Sequence, residues 1–492
     1  MNLRYITVIF SVLFFFAAQH TFAADGAVSQ EEFRKVIHEL KNEIKTLKDK
    51  NIQLNGKINT LESKEQARQD TDIGDLKEDV EELSELMQTV ERKSVLDRIQ
   101  MNAELRTRCD WFTYRDDKTN HDESVDAIFS NRFRLNLFSK INANLQIHAR
   151  LVMYHTWNDL SVPSYPRHQE FNRSRVPGET DIKAERVYAD YFFKLGEKFP
   201  MALSFGRLPT TDGLPTDLRD DTPRKSTYPG LMWDTEVDGI GLSLGLEPLT
   251  GLKDSALRFI WARIVEDGDS KVYRRSSYDL NDIDVYFAQF ETGFKSMADT
   301  IFVISSVYMP DWMTGDMRPL GLKPVDIQGE MGSYWKVCLY FQSKRFMGSD
   351  FDIFAGWSYN DYNGNGQDVW GIGPGNLIKI NNKLIAGNGT GVHAGFRYNI
   401  PWKVLNNAKF GVEYNHGSKY HSGGNWSSED PLQKLNNRGG GTWDFYYIQP
   451  IDKHFKVRVG YTYLQKRYDG LPPLKRVDEK ITNGYILLDA KF

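Results

Sequence analysis

The 492-residue chain has only two cysteines, so neither a disulfide scaffold nor a cysteine-rich zinc module can be built. It has no excess of basic charge: 62 Lys and Arg stand against 66 Asp and Glu. Bulk nucleic-acid binding is therefore not expected. Beyond the N-terminus no run of about 18 apolar residues occurs, which excludes a helical transmembrane protein. It leaves a β-barrel open, because barrel strands alternate and look ordinary on a hydropathy scale. HExxH and P-loop motifs are missing, and no positioned triad stands out, so neither an enzyme nor a cofactor is expected.

What is present begins with an address. Arg4 precedes an apolar run from Ile6 to Ala18, and the small-residue end Thr21-Phe22-Ala23 follows. This is the pattern of a secretory signal peptide over residues 1–23, cleaved after Ala23. No cysteine follows the cleavage site, so a lipoprotein of the usual kind is not expected.

Glycine and tryptophan then divide the chain. Before residue 98 the only glycines are Gly26, Gly56 and Gly74, and there is no tryptophan. Ser29 and Glu32 fit a capping box. Phe33, Ile37, Leu40, Ile44, Leu47, Leu54, Ile58 and Leu61 recur at 4-3 spacing, with Ile at a, Leu at d and Asn51 at one a position. This predicts an α-helical coiled coil over residues 24–97, and such a pattern favours two parallel strands. A second series, Ile73 to Val90, is shifted in phase near Gly74. A hairpin within the chain, or a helix packed on the rest of it, are the alternatives.

From Ile99 to Phe492 the period becomes two. Leu105 and Trp111 alternate with Arg106, Arg108 and Asp110; Phe133, Leu135 and Leu137 alternate with Arg132, Arg134 and Asn136. An apolar exterior around a polar, wet interior satisfies both faces, which predicts an all-β transmembrane antiparallel barrel over residues 98–492. About sixteen strands are expected. Their centres fall near Arg106, Arg134, Ile147, Ala189, Leu203, Leu242, Phe259, Phe287, Val303, Val337, Ala355, Ala394, Val412, Phe445, Val459 and Leu488. Short turns alternate with longer connections, among them Arg115–Val125, Arg207–Asp238 and Gly417–Gly439. Short periplasmic turns and long external loops are the rule for such barrels. An even strand number puts both barrel ends, and the helical segment, in the periplasm.

The final strand places Ile486, Leu488, Ala490 and Phe492 on one face. It resembles the C-terminal signature by which bacterial outer-membrane proteins are recognised for assembly. Residues 98–492 resemble an outer-membrane porin, and the whole chain is similar to a poorly characterised porin-like family whose barrel follows a short coiled coil. The stretch Gly206-Arg207-Leu208-Pro209-Thr210-Thr211-Asp212-Gly213-Leu214-Pro215 is the part most similar to that family. The resemblance implies outer-membrane lipid as a partner and a homo-oligomer. Porins of this size are usually trimers, whereas the heptad leans towards a dimer. Contact between the coiled coil and the cell wall is a further expectation.

The resemblance to porins implies that the third long connection enters the barrel as a constriction loop, here carrying Arg207, Asp212, Asp217, Arg219, Asp220 and Asp221. Pro209, Pro215 and Pro223 would stiffen it. Facing it as pore-lining residues would be Arg106, Arg108, Arg132, Arg134, Arg150, Lys456 and Arg458. A basic wall against an acidic loop sets a transverse field that tunes permeation. The competing expectation is that the arginines pair with Glu104, Asp110 and Asp190 and only stiffen the wall. Trp111, Tyr114, Tyr154, Trp157, Trp357, Tyr359, Tyr461 and Tyr463 are expected to form the aromatic girdle. Asp361, Asn363 and Asn365 open like a calcium loop but lack its closing Glu. His416 and His421 are five apart without further ligands, so no metal is expected. Cys109 and Cys338 should point to opposite sides of the wall. The function expected is passive diffusion of small polar solutes or ions. A plugged structural barrel, or a substrate-specific channel, are the alternatives.

Overall fold

The computed structural model describes residues 99–157, 182–196, 198–265, 283–310, 332–364, 387–422, 430–469 and 475–492. It also describes the backbone of 368–373 and 376–381, and isolated positions elsewhere. Before residue 99 these are Thr46, Asp49, Lys50, Gln53, Gly56, Lys57 and Ser84, all helical. The signal peptide and the heptad a and d residues lie outside the described residues, as do most of the calcium-like loop's side chains.

The alternating segments form β1 (Ile99–Asp116), β2 (His121–Lys140), β3 (Leu145–Thr156), β4 (Lys183–Leu195), β5 (Phe199–Leu208), β6 (Val237–Gly245), β7 (Ala256–Val265), β8 (Ile283–Phe294) and β9 (Met297–Met309). They continue as β10 (Ser333–Ser343), β11 (Phe351–Asn363), β12 (Asp368–Gly373), β13 (Asn376–Asn381), β14 (Gly387–Asn399), β15 (Lys409–Gly417), β16 (Gly440–Pro450), β17 (Phe455–Asp469) and β18 (Lys475–Lys491). β12 and β13 pair only with each other; the other sixteen close into one antiparallel barrel. Every expected strand centre lies in its own barrel strand. Closure pairs β1 with β18, and Ala103 and Phe492 exchange backbone hydrogen bonds of 2.7 and 3.0 Å. A closed sheet leaves no edge with unpaired backbone groups.

The period of two sorts the side chains as expected. On β10, Trp335 and Leu339 point outwards and are exposed, while Tyr334, Lys336, Cys338, Tyr340 and Gln342 point inwards and are buried. Cys109 shares the outer face with Leu105 and Trp111, so the two cysteines do lie on opposite sides, and both are free. Trp261, Tyr286, Tyr308 and Trp335 are register neighbours across β7–β10, each 41–47% exposed. This is the outward aromatic row that suits a membrane interface. Two expected girdle members are corrected. Tyr114 and Tyr154 face inwards, where their hydroxyls meet Glu479 at 3.0 Å and Arg134 at 3.5 Å.

Short connections gather at the end that holds Ile99 and Phe492, and longer ones at the other. The connection expected over Arg115–Val125 is instead the turn 117–120, because β1 and β2 run on past it. β1, β2, β17 and β18 have 18, 20, 15 and 17 residues. About 9–11 suffice to cross a membrane, so these neighbouring strands stand taller than the rest.

Candidate functional site inside the barrel

Residues 209–236 leave β5 and return to β6 through the barrel interior. Their apolar side chains seal one side. Leu214 and Leu218 pack on Val303, Tyr340 and Phe354 of β9–β11. Tyr228, Leu231, Met232 and Trp233 pack on Ala262, Val285, Phe287, Val307 and Met309 of β7–β9. Where it holds this cluster, the inner face of β8 and β9 is apolar, with Gln289, Glu291 and Ser305 its buried polar members. A strand whose exposed outer face is apolar and whose inner face packs on apolar side chains reads as a nearly continuous apolar run, and Ile301-Phe302-Val303-Ile304 is such a run.

The polar side of the loop meets charge. Asp212 lies 3.1 Å from Arg134, 3.4 Å from Arg150 and 3.6 Å from Arg186. Glu185 completes that cluster at 2.6 Å from Arg134. Glu185 and Arg186 are sequence neighbours that both turn inwards, because a bulge displaces the β3–β4 register at this point. A bulge re-aims a side chain in this way. Two adjacent charges in an alternating strand were the available signal for it.

Asp220 sits 2.6 Å from Arg458 and 3.3 Å from Arg106, and its carbonyl accepts from Lys456. Arg106 also holds Asp489 at 2.5 Å. Burial alone would raise the Asp220 carboxyl, but Arg106, Arg458 and Lys225 outweigh it and hold it well below the usual range. Asp221 meets Lys409 at 2.6 Å and Arg397 at 3.1 Å. Asp217 accepts from Gln342 at 2.9 Å and pairs with Lys344 at 2.9 Å. Arg219 reaches Glu413 at 2.6 Å, Arg224 reaches Glu291 at 2.8 Å, and Lys225 lies 3.6 Å from Glu104. The loop is therefore held from β1–β4, β8, β10, β14, β15 and β17, all round the wall.

The arginines divide between two kinds of partner. Arg108 pairs with Asp110 at 2.5 Å and Arg132 with Glu104 at 3.3 Å, along the wall. Arg106, Arg134, Arg150, Lys456 and Arg458 instead grip the loop. Asp190 pairs with His148 at 3.4 Å rather than with an arginine. Arg207 is a correction. It shares the outer face with Phe205 and bonds Asp238 at 3.3 Å, because it still belongs to β5 when the chain has not yet turned in.

Residues 418–422 and 430–439 also enter the barrel, where an external loop was expected. Leu432 packs on Phe112, Leu464 and Ile481. Burial pushes the His421 imidazole down to about 3. It is therefore neutral, and its Nε2 donates to the Leu435 carbonyl at 2.9 Å. Lys336, fully buried on β10, donates to Leu231 O at 2.5 Å and Ser422 O at 2.6 Å, tying the two inward segments together. Between these segments and β1, β17 and β18 lies a cavity of about 30 Å³, bounded by Arg106, Arg108, Arg219, Asp220, Asp430 and Arg458. That is water-sized space.

Three solved structures share the barrel architecture at low identity. OprB of Pseudomonas putida is 13% identical over 82% of this chain and 96% of its own, with a TM-score of 0.46. DcaP of Acinetobacter baumannii is 12% identical over 80% and 97%, with a TM-score of 0.43. OmpF of Salmonella typhi is 9% identical over 80% and 97%, with a TM-score of 0.44. No curated protein matches. Residues 122–472, which span the loop and nearly all of the wall that holds it, match the family described as "protein of unknown function (DUF3373)", and the chain belongs to that family.

Proposed function

We propose that this protein is a bacterial outer-membrane channel giving passive passage to small polar solutes or ions, narrowed by residues 209–236. The observation that carries this reading is the inverted polarity of a closed, edge-free barrel. Large apolar side chains lie exposed outside, and ion-paired arginines and carboxylates lie within. Only lipid outside and a polar phase inside satisfy both. Arg106, Arg108, Arg132, Arg134, Arg150, Lys456 and Arg458 line the route, and Asp212, Asp217, Arg219, Asp220 and Asp221 form the constriction. No catalysis is involved. Residues 1–23 serve for export, residues 24–97 stand in the periplasm as a coiled coil able to reach the cell wall, and the barrel is a homo-oligomer.

A second reading, a plugged barrel with a structural role, is favoured by the second inward segment and the water-sized space beside it. Single-channel recording of the refolded mature protein in a planar bilayer separates the two. The channel reading expects small, stepwise, salt-proportional conductance that grows when residues 215–224 are replaced by a short Gly-Ser linker. A heat-modifiable barrel that stays silent in both forms sinks it and leaves the plug.

A further inference from the structure

The rim of short turns repeats one pattern around the barrel. Lys140 stands beside Ile141, Arg345 near Met347, Lys403 between Trp402 and Val404, and Lys453 near Ile451, at the β2–β3, β10–β11, β14–β15 and β16–β17 turns. Leu195 with Lys198, and Leu252 with Lys253, repeat it at the β4–β5 and β6–β7 turns. The apolar members are all exposed. Val404 and Met347, at 88% and 83%, are the most exposed large apolar side chains among the described residues. Lys140, Lys198, Arg345, Lys403 and Lys453 are exposed too, and make no side-chain hydrogen bond or ion pair among the described residues. Carboxylates at this rim behave differently. Asp452 accepts from the His454 and Phe455 amides at 2.7 Å, and Glu247 from the Asp254 amide at 3.2 Å, so both are held within their own turns. Single exposed apolar residues need no explanation, but a cation with an apolar neighbour at turn after turn of a closed barrel is not scatter. The boundary between acyl chains and anionic headgroups takes both kinds of side chain, the apolar one by burial and the lysine by charge, its stem lying along the apolar surface. A protein partner would cover one sector, whereas the pattern goes round the rim. A polar sugar-peptide mesh would offer anions but nothing to Val404 or Met347.

We propose that the short-turn rim is a binding surface for anionic phospholipid of the adjoining leaflet. Ile141, Met347, Trp402, Val404 and Ile451 reach the acyl boundary, and the neighbouring lysines and Arg345 hold the headgroup charge. This inference rests on the membrane-barrel reading above and adds a lipid class and the residues that select it over a zwitterionic one.

The test reconstitutes the mature chain in phosphatidylcholine vesicles with a trace of spin-labelled phosphatidylglycerol or spin-labelled phosphatidylcholine. The fraction of each label held motionally restricted by the protein is compared. Phosphatidylglycerol is expected to be favoured about threefold or more at low salt. The preference is expected to vanish when Lys140→Gln, Lys198→Gln, Arg345→Gln, Lys403→Gln and Lys453→Gln are combined. A second measurement leaves every charge in place. Val404→Cys carries a nitroxide, the two native cysteines being buried, and oxygen dissolved in the acyl region is expected to collide with it more than an aqueous nickel chelate does. Equal restriction of the two lipids by the wild type overturns the proposal, as does a preference that survives in the combined variant. A nitroxide open to the chelate alone overturns it too. One shielded from both reagents is covered by protein, residues 24–97 or another chain, and also overturns it. A wild-type chain that fails to insert strikes the membrane-barrel reading, whereas an inserted barrel without lipid preference leaves that reading standing.

Discussion

At the scale of single residues, Asp220 is the junction of the site. It satisfies two guanidinium groups, on β1 and β17, that are themselves nearly inaccessible. Removing one partner of a buried pair destabilises by about 3–5 kcal/mol, because a charge is left uncompensated. Asp220→Ala is expected to loosen the loop's hold on that wall. Single-channel conductance should rise and the reversal potential in a salt gradient should move towards anion preference. Arg207→Ala serves as the contrast. Its side chain lies on the outer face, so both readouts should stay at wild-type values. The same geometry predicts a pH response. The Asp220 carboxyl is depressed in the folded chain. Its stabilising contribution is therefore complete above the ordinary carboxylate value of about 4 and is lost only as pH falls through the lower folded value. Conductance should stay constant from pH 7 to pH 5 and change only in stronger acid. A change between pH 6 and 5 would assign the loop's hold to other groups.

At the scale of elements, the strands were legible and the interior was not. A period of two is a local property, and it survives in each strand whatever lies opposite. The inward course of residues 209–236 was legible only through the resemblance to porins; its prolines and carboxylates mark a loop but do not say where it runs. Contacts made across the lumen leave a weaker mark. Arg397, Lys409, Glu413 and Asp489 are ordinary charges of alternating strands until the loop is in place. Nothing local distinguishes Leu432 and Leu435, which enter the barrel, from the surface of an external loop. The apolar inner faces of β8 and β9 were the readable clue, since they demand a partner other than water. Trp233 is the largest fully buried side chain of that contact, edge-on to Phe287 at 5.3 Å, and its indole donates to Thr235 O at 2.9 Å. Trp→Ala in a core costs about 3–5 kcal/mol. Trp233→Ala is expected to leave a heat-modifiable barrel but to make residues 209–236 cleavable by added protease, where the wild type resists.

At the scale of the whole molecule, the loop acts as a strut. Its apolar side leans on β7–β11 and its charged side pulls on β1–β4, β14, β15 and β17, so opposite walls are joined through one segment. A lumen braced in this way should resist flattening. The barrel with residues 215–224 replaced is expected to lose its heat-modifiable form at a lower temperature than the wild type, although every strand is intact. An unchanged transition would mean that the sheet alone sets the shape.

The pairing of Ala103 with Phe492 also governs the order of events during folding. Bringing these two ends together directly in an unstructured chain would cost about 5 kcal/mol in loop entropy at this separation. Neighbouring hairpins avoid that term, and the last seam then joins two edges that are already ordered. Until it forms, β1 and β18 each present an unpaired row of backbone groups, the usual starting point for association between chains.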